Sequence, residues 1–335
     1  MSFVVPSDDP AVAVDQLAGW LADSDPSPLL IETSGSTGRP KRVVLSRHAV
    51  LASVHASARR LGETGRWLLA LPSSYVAGVQ VVCRSLVAGQ PPLLVGDGGF
   101  AETASPGDFT SLVPTQLHRL LDDERETQAL AGLHTVLLGG GPIPPALRTR
   151  AEEAGVHVVA TYGASETAGG CVYDGLPLDG VALALGTEGR IRIGGPTLFD
   201  RYDGDPGLTA TTLVEGWYLT SDAGTLDEDG RLRVLGRLDD VVVSGGVKVP
   251  LPAVAARLAE HPGIAAAHAL GVDDPEWGTR VVALAVGDVS LAELRDWVAA
   301  VHPRSWAPRD VVRLEALPLL PNGKVDRRAL EELVR

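Results

Sequence analysis

The stretch "LLIETSGSTGRPKRVVLS" runs from Leu29 to Ser46. Leu29–Thr33 reads as an apolar strand that empties into Thr33-Ser34-Gly35-Ser36-Thr37-Gly38 and then Arg39-Pro40-Lys41. Glycines let backbone N–H groups approach a ligand closely and point the same way. The hydroxyls add donors, and Lys41 adds a compact point charge. Together they suit an oxyanion such as phosphate. The spacing G-x-x-G-x-x-K, with Arg42 next, is not that of the Walker P-loop. Alone, the stretch equally suits a solvated Gly/Ser turn between a strand and a helix, so the rest of the chain has to decide.

Outward from this stretch, strands and helices alternate up to about Thr161. Ser46 is expected to cap a helix whose Val50, Leu51, Val54, Ala58 and Leu61 share one face, with Gly62 ending it. "WLLAL" (67–71) reads as a buried strand and "YVAGVQVVCRSLVAG" (75–89) as a helix closed by Gly89. "PLLVG" and "DFTSLVP" read as strands, and Thr115 as a cap for "QLHRLL". "HTVLLGGG" (134–141) is a strand running into three glycines, 144–155 is helical, and "VHVVATYGASE" is strand then loop. This alternation predicts an α/β fold whose large N-terminal domain has a parallel-rich sheet with covering helices. Ligands of such sheets bind beyond the carboxyl ends of the strands, where each glycine-rich stretch falls. After Gly189 a small antiparallel region is expected, turning at Asp229-Gly230. Beyond Asp239 the pattern becomes a small α+β domain. The predicted domains are 1–238 and 239–335.

The chain has 335 residues, 45% of them apolar, and a net charge of −13. An acidic balance disfavours a nucleic-acid surface and leaves small molecules as the expected ligands. No apolar run approaches the ~20 residues of a membrane helix. With no Lys or Arg before Arg39, no secretory signal is expected. Cys83 and Cys171 are far apart and suit a reducing, cytoplasmic setting. The eight histidines form no H-x-x-x-H or H-E-x-x-H group, so no protein-ligated zinc is expected.

Of 29 basic residues only three are lysines: Lys41, Lys248 and Lys324. Each lies beside glycine, at Gly38, Gly246 and Gly323. A lysine that persists where arginine has otherwise taken over is a candidate for a site too tight for a planar fork. The other reading is three leftover surface charges.

In order along the chain, seven stretches resemble the motifs of the acyl-adenylate-forming superfamily of acyl- and aryl-CoA ligases, adenylation domains and luciferases. They are "TSGSTGRPK" (33–41), "LLGGGPIP" (137–144), "TYGASETAGG" (161–170), "YLTSDAGTLDEDG" (218–230), "GRLDDVVVSGGVKV" (236–249), "DDPEWGTRVVALAV" (273–286) and "LPLLPNGKVDRRAL" (317–330). The resemblance covers residues 29 to 335. It implies ATP, Mg²⁺ and coenzyme A as the small molecules used, and a small C-terminal domain that is mobile.

The resemblance also implies roles. Thr33, Ser34, Gly35, Ser36, Thr37, Gly38 and Lys41 would hold the β- and γ-phosphates. Glu166 would hold Mg²⁺, and Gly163 and Ser165 would lie at the α-phosphate end. Gly139, Gly140, Gly141 and Tyr162 would flank adenine. Asp222 and Arg237 would reach the ribose. Lys324 would bridge the carboxylate and the α-phosphate. Asp239 would be the hinge, with Ser244, Gly245, Gly246 and Lys248 near CoA. Taken singly, Glu166 could cap a helix, Asp222 form a turn, and Lys324 or Lys248 be solvated; Tyr173, Trp217 and Trp277 read as packing residues.

The phosphate loop begins at residue 33, earlier than is usual in the superfamily, which points to a compact branch. "LALPSSYVAGVQ" (69–80) is similar to "LP-x-x-[HY]-x-x-G-x-Q" of the short actinobacterial o-succinylbenzoate–CoA ligases of menaquinone biosynthesis, with Tyr75 where many relatives have His. Arg42 replaces a common Gly, and Ala255 a common Glu. A dianionic aromatic acid needs an apolar slot and a cation, for which Tyr75, Gly78 and Arg84 are candidates; Arg84 alone also reads as a helix-surface residue. Another short aryl- or acyl-CoA ligase, or an inactive ATP-binding module that recruits a partner, remain as alternatives, and a homodimer stays open.

Overall fold

The computed structural model describes residues 2–33, 40–320 and 325–334. The chain divides into two compact units. One comprises Met1–Ala184, Arg192–Thr220 and Leu226–Leu232; the other comprises Leu185–Ile191, Ser221–Thr225 and Arg233–Arg335.

In the first unit, β1 (Leu29–Thr33) and β2 (Lys41–Leu45) form an antiparallel pair. The main sheet uses β3 (Trp67–Leu69), β4 (Leu93–Leu94), β5 (Phe109–Leu112), β6 (Thr135–Leu138), β7 (Val158–Ala164), β8 (Gly169–Tyr173) and β9 (Leu176–Pro177). Its order is β4-β3-β5-β6-β7-β8-β9. The pairings from β4 to β7 are parallel, and β8 and β9 add an antiparallel edge. All four residues of β5 and of β6 are buried, as in a parallel sheet covered on both faces. Leu68, Val136 and Leu138 of the sheet share a core with Leu117, Leu130 and Leu147 of the helices. Truncating such a leucine to alanine costs about 2–5 kcal/mol.

Helix boundaries follow local chemistry. In α1 (Pro10–Ala22), Asp9 accepts from the N–H groups of Ala11 and Val12, with Pro10 at the first position. This helix precedes the alternation expected from Leu29 onward, and Asp9-Pro10 is its local signal. In α2 (Arg47–Leu61) Ser46 accepts from the Ala49 N–H, and Gly62 closes the helix at φ 79°. α3 (Val76–Val87) packs against β3 and β8. Thr115 is not a cap: the helix Pro114–Leu120 starts earlier, because Pro114 is pre-set for the first turn.

β10 (Ala182–Leu185), β11 (Arg190–Gly194), β12 (Arg201–Tyr202), β13 (Leu213–Val214), β14 (Trp217–Leu226) and β15 (Leu232–Arg237) follow. Five of them make the sheet β10-β11-β14-β13, with β15 on β14. β12 instead joins β2, extending the first pair to β1-β2-β12. A helix, Pro206–Thr212, interrupts the expected all-strand region and is capped by Asp205.

In the second unit β16 (Val241–Ser244) and β17 (Val247–Pro250) form a hairpin turned by Gly245 and Gly246, both at positive φ. A Cβ on Gly245 would come within 2.7 Å of the Trp277 ring. β18 (Ala266–Asp274) and β19 (Gly278–Val286) pair antiparallel, and β20 (Asp310–Arg313) joins β19 in parallel. Val249, Val254, Leu258, Ala283, Leu294 and Val298 form its core. Among the described residues no helix is long and apolar enough to cross a membrane.

Candidate active site

Lys41 is the first residue of β2 and lies opposite Thr33 of β1. On its other side β2 pairs with β12, so that Val43 lies opposite Tyr202. Lys41 and Val43 are two residues apart, hence on one face of the strand. The Lys41 ammonium stands 5.5 Å from the centre of the Tyr202 ring.

The Tyr202 hydroxyl donates to Glu166 Oε1 at 2.6 Å. Glu166 is 6% exposed and sits in a short 3₁₀ turn, Ser165–Thr167, just beyond the carboxyl end of β7. The turn is held by its own groups. Thr167 Oγ1 accepts from the Ala164 N–H at 2.9 Å and reaches the Gly169 carbonyl at 2.7 Å. The Phe199 N–H donates to the Glu166 carbonyl. Burial first, and then the Glu166 carboxylate, pushes the Tyr202 phenol far above its ordinary pKa. The phenol therefore stays protonated and serves as a donor.

Around this core lie other residues expected from sequence. Gly139 follows β6, and Gly140 has φ 81°. Tyr162 and Gly163 belong to β7, where the pairing with β8 shifts register. A Cβ on Gly163 would come within 2.1 Å of the Gly169 carbonyl oxygen, so only glycine lets β8 return this closely. Ser165 is half-buried. Gln80 of α3, 1% exposed, donates from Nε2 to the Ala168 carbonyl at 2.7 Å, which ties that helix to the Glu166 turn. Arg42 is engaged sideways with Asp203 at 2.7 Å.

Glu166 is a hard oxygen donor, and such a carboxylate suits magnesium, which takes one or two carboxylates together with phosphate oxygens. Among the described residues no group of three His, Cys, Asp or Glu could hold a metal.

Residues 22–194 match the AMP-binding enzyme family, and residues 253–324 its C-terminal domain. The chain belongs to the AMP-binding enzyme family. A probable 2-succinylbenzoate–CoA ligase of Mycobacterium tuberculosis is 43% identical over 319 residues, covering 90% of this chain and 83% of that one. The 2-succinylbenzoate–CoA ligase of Bacillus cereus is 32% identical, covering 91% and 70%. The o-succinylbenzoate CoA synthetase of Bacillus subtilis, solved with the acyl-adenylate intermediate OSB-AMP, has a TM-score of 0.78 at 28% identity, covering 90% and 68%. That synthetase has also been solved with ATP and a magnesium ion.

In this AMP-binding enzyme the second unit carries the remaining described candidates. Asp222 of β14 is half-buried. Arg237 ends β15 and pairs with Asp239 at 2.8 Å. Asp239 lies in the turn Leu238–Asp240 with its side chain 64% exposed. Ser244 is buried, and Lys248 pairs with Glu188 at 3.0 Å. Ser34, Gly35, Ser36, Thr37, Gly38 and Lys324 lie outside the described residues.

The acid-pocket candidates divide. Tyr75 occupies the N-cap position of α3, half-buried. Gly78 is a close-packing position, where a Cβ would meet the Pro72 carbonyl oxygen at 2.2 Å. Arg84, expected as a cation for a second carboxylate, is instead turned into the unit and 7% exposed. Its guanidinium lies 4.9 Å over the Trp67 ring, and Nη2 donates to the Tyr173 hydroxyl, which also contacts Ser57. Two apolar-lined neighbours on other elements draw the side chain inward, which helix periodicity alone does not reveal. Tyr202 was missed by the sequence reading. No local spacing links it to Glu166 or Lys41; only the β2–β12 pairing does.

Proposed function

We propose that this AMP-binding enzyme is an acid–CoA ligase that converts o-succinylbenzoate to o-succinylbenzoyl-CoA through an acyl-AMP. One observation carries the reading: the 43% identity, over 90% of the chain, with a 2-succinylbenzoate–CoA ligase. The buried Glu166 with its tyrosine donor, close to Lys41, supports it.

In the first step a carboxylate oxygen of the acid attacks the α-phosphorus of ATP, and the bond from that phosphorus to the pyrophosphate oxygen breaks. In the second, the CoA sulfur, having given up its proton, attacks the acyl carbon and AMP leaves. Such transfers depend on positioning and on charge stabilisation. Magnesium, when bound, spreads the charge of the phosphate oxygens. Glu166 supplies its protein ligand, and Lys41 with Thr33–Gly38 holds the β- and γ-phosphates. Gly163 and Ser165 serve the α-phosphate side. Gly139, Gly140, Gly141 and Tyr162 flank adenine, and Asp222 and Arg237 take the ribose hydroxyls. Lys324 bridges the acid and the α-phosphate. Residues 239–335 act as a mobile domain pivoting at Asp239, with Ser244, Gly245, Gly246 and Lys248 near CoA.

The test is a panel of carboxylic acids with ATP, Mg²⁺ and CoA, read as pyrophosphate release and as thioester by mass. o-Succinylbenzoate should turn over fastest. Preference for another aryl or acyl acid would overturn the substrate and keep the ligase. ATP binding without pyrophosphate release for any acid would overturn the ligase in favour of a recruiting module.

A further inference from the structure

We propose that Tyr202 is a positioning residue that holds the Glu166 carboxylate with its hydroxyl while its ring keeps the Lys41 ammonium apart from that carboxylate. The inference rests on the reading above, in which Glu166 meets magnesium and Lys41 the outer phosphates.

Tyr202 touches both groups. Its hydroxyl is 2.6 Å from Glu166 Oε1, and its ring centre is 5.5 Å from Lys41 Nζ. It is itself fixed: it is 2% exposed, its N–H donates to Thr209 Oγ1 at 3.0 Å, and Phe199 packs on it with ring centres 4.8 Å apart. The hydroxyl bond occupies one carboxylate oxygen and sets the plane of the other. Because the phenol is neutral, it orients Glu166 without cancelling the charge that a cation needs. A lysine in its place would cancel it. Among the described residues Lys41 and Glu166 form no ion pair within 4.0 Å. The ring stands beside the lysine, so that cation and anion each remain available to a different part of the nucleotide.

Two variants separate the two roles. Tyr202→Phe keeps the ring and removes the hydroxyl. Tyr202→Leu removes both. The readouts are equilibrium binding of ATP in EDTA, and the Mg²⁺ concentration that half-saturates ATP binding. Support of a metal ligand is worth about 10–100-fold in metal affinity. The Phe variant should therefore raise the Mg²⁺ midpoint about tenfold and leave metal-free ATP binding at the wild-type value. The Leu variant should also weaken metal-free ATP binding, because Lys41 then pairs with Glu166. Adding Glu166→Gln to the Leu variant should restore it. A wild-type Mg²⁺ midpoint in the Phe variant overturns the proposal, and this measurement decides alone if the Leu variant does not fold. If the wild-type chain binds ATP but ligates no acid, the ligase reading fails while the midpoints still judge Tyr202. If it binds no ATP, both fail.

Discussion

Thr33 and Lys41 stand directly opposite each other across β1 and β2, at the end of a five-pair antiparallel register that begins at Leu29 and Leu45. The chain thus leaves and re-enters this sheet at one point, and Lys41 stands where the segment between them returns. The glycine- and hydroxyl-rich run connects two strands of a hairpin rather than a strand and a helix, and it ends on the lysine that neighbours Tyr202.

Lys41→Ala should lower the rate of pyrophosphate release about 10²–10³-fold, as for loss of one group that stabilises developing charge. Lys41→Arg should recover little, because a planar fork does not replace a compact ammonium. Full recovery with arginine would show that only net charge matters at this position.

Lys324→Ala should abolish adenylate formation by a similar ~10²–10³-fold while sparing thioester formation from supplied acyl-AMP. Single-turnover measurement of each half-reaction checks this. Equal loss in both would remove Lys324 from the first step.

Arg84→Met should lower stability by about 1–3 kcal/mol through the lost hydrogen bond to Tyr173 and the lost contact with Trp67. The KM for the acid should not change. A raised KM with an unchanged melting temperature would return Arg84 to the acid pocket.

Cys83 and Cys171 are both buried and free, and burial pushes each thiol up to about 12, against a smaller opposing pull from Arg84 on Cys83 and from Thr167 on Cys171. Thiolate is the reactive form. Iodoacetamide at pH 8.5 should label neither cysteine in the native protein and both in denaturant. Rapid native labelling of either would contradict the packing described for it.

His268 is half-buried on β18, within the electrostatic reach of Arg327 and Asp240. Burial first, and then Arg327, lowers its pKa below the usual value, with Asp240 opposing. Below about pH 6.5 the unfolded chain takes up a proton that the folded chain resists, so stability falls with pH in that window. In a His268→Gln variant the melting temperature should fall less between pH 7 and pH 5 than in the wild type. Parallel curves would show that His268 titrates alike in both states.

Much of the fold was legible because its signals are local. Ser46 and Gly62 bracket α2 by their own hydrogen bonding and φ. The apolar runs of β5 and β6 are short, continuous and bounded by polar turns, as buried parallel strands are. The helix Pro206–Thr212 is equally local in origin, with Asp205 and Pro206 at its start, but it is short and set among strand patterns that mask it.

The amino-acid sequence by itself determined the order of the motifs, the residue types around the phosphate-like run, and the placement of Glu166 at the carboxyl end of a parallel strand. These depend on neighbours within a few residues, where capping, alternation and glycine geometry act. Only the tertiary structure decided that Tyr202 meets both Lys41 and Glu166, and that Arg84 turns inward to Trp67 and Tyr173. Strand partners and core neighbours are chosen by the burial and pairing of segments distant in the chain, and a two-residue strand such as β12 carries too little pattern to announce its partner.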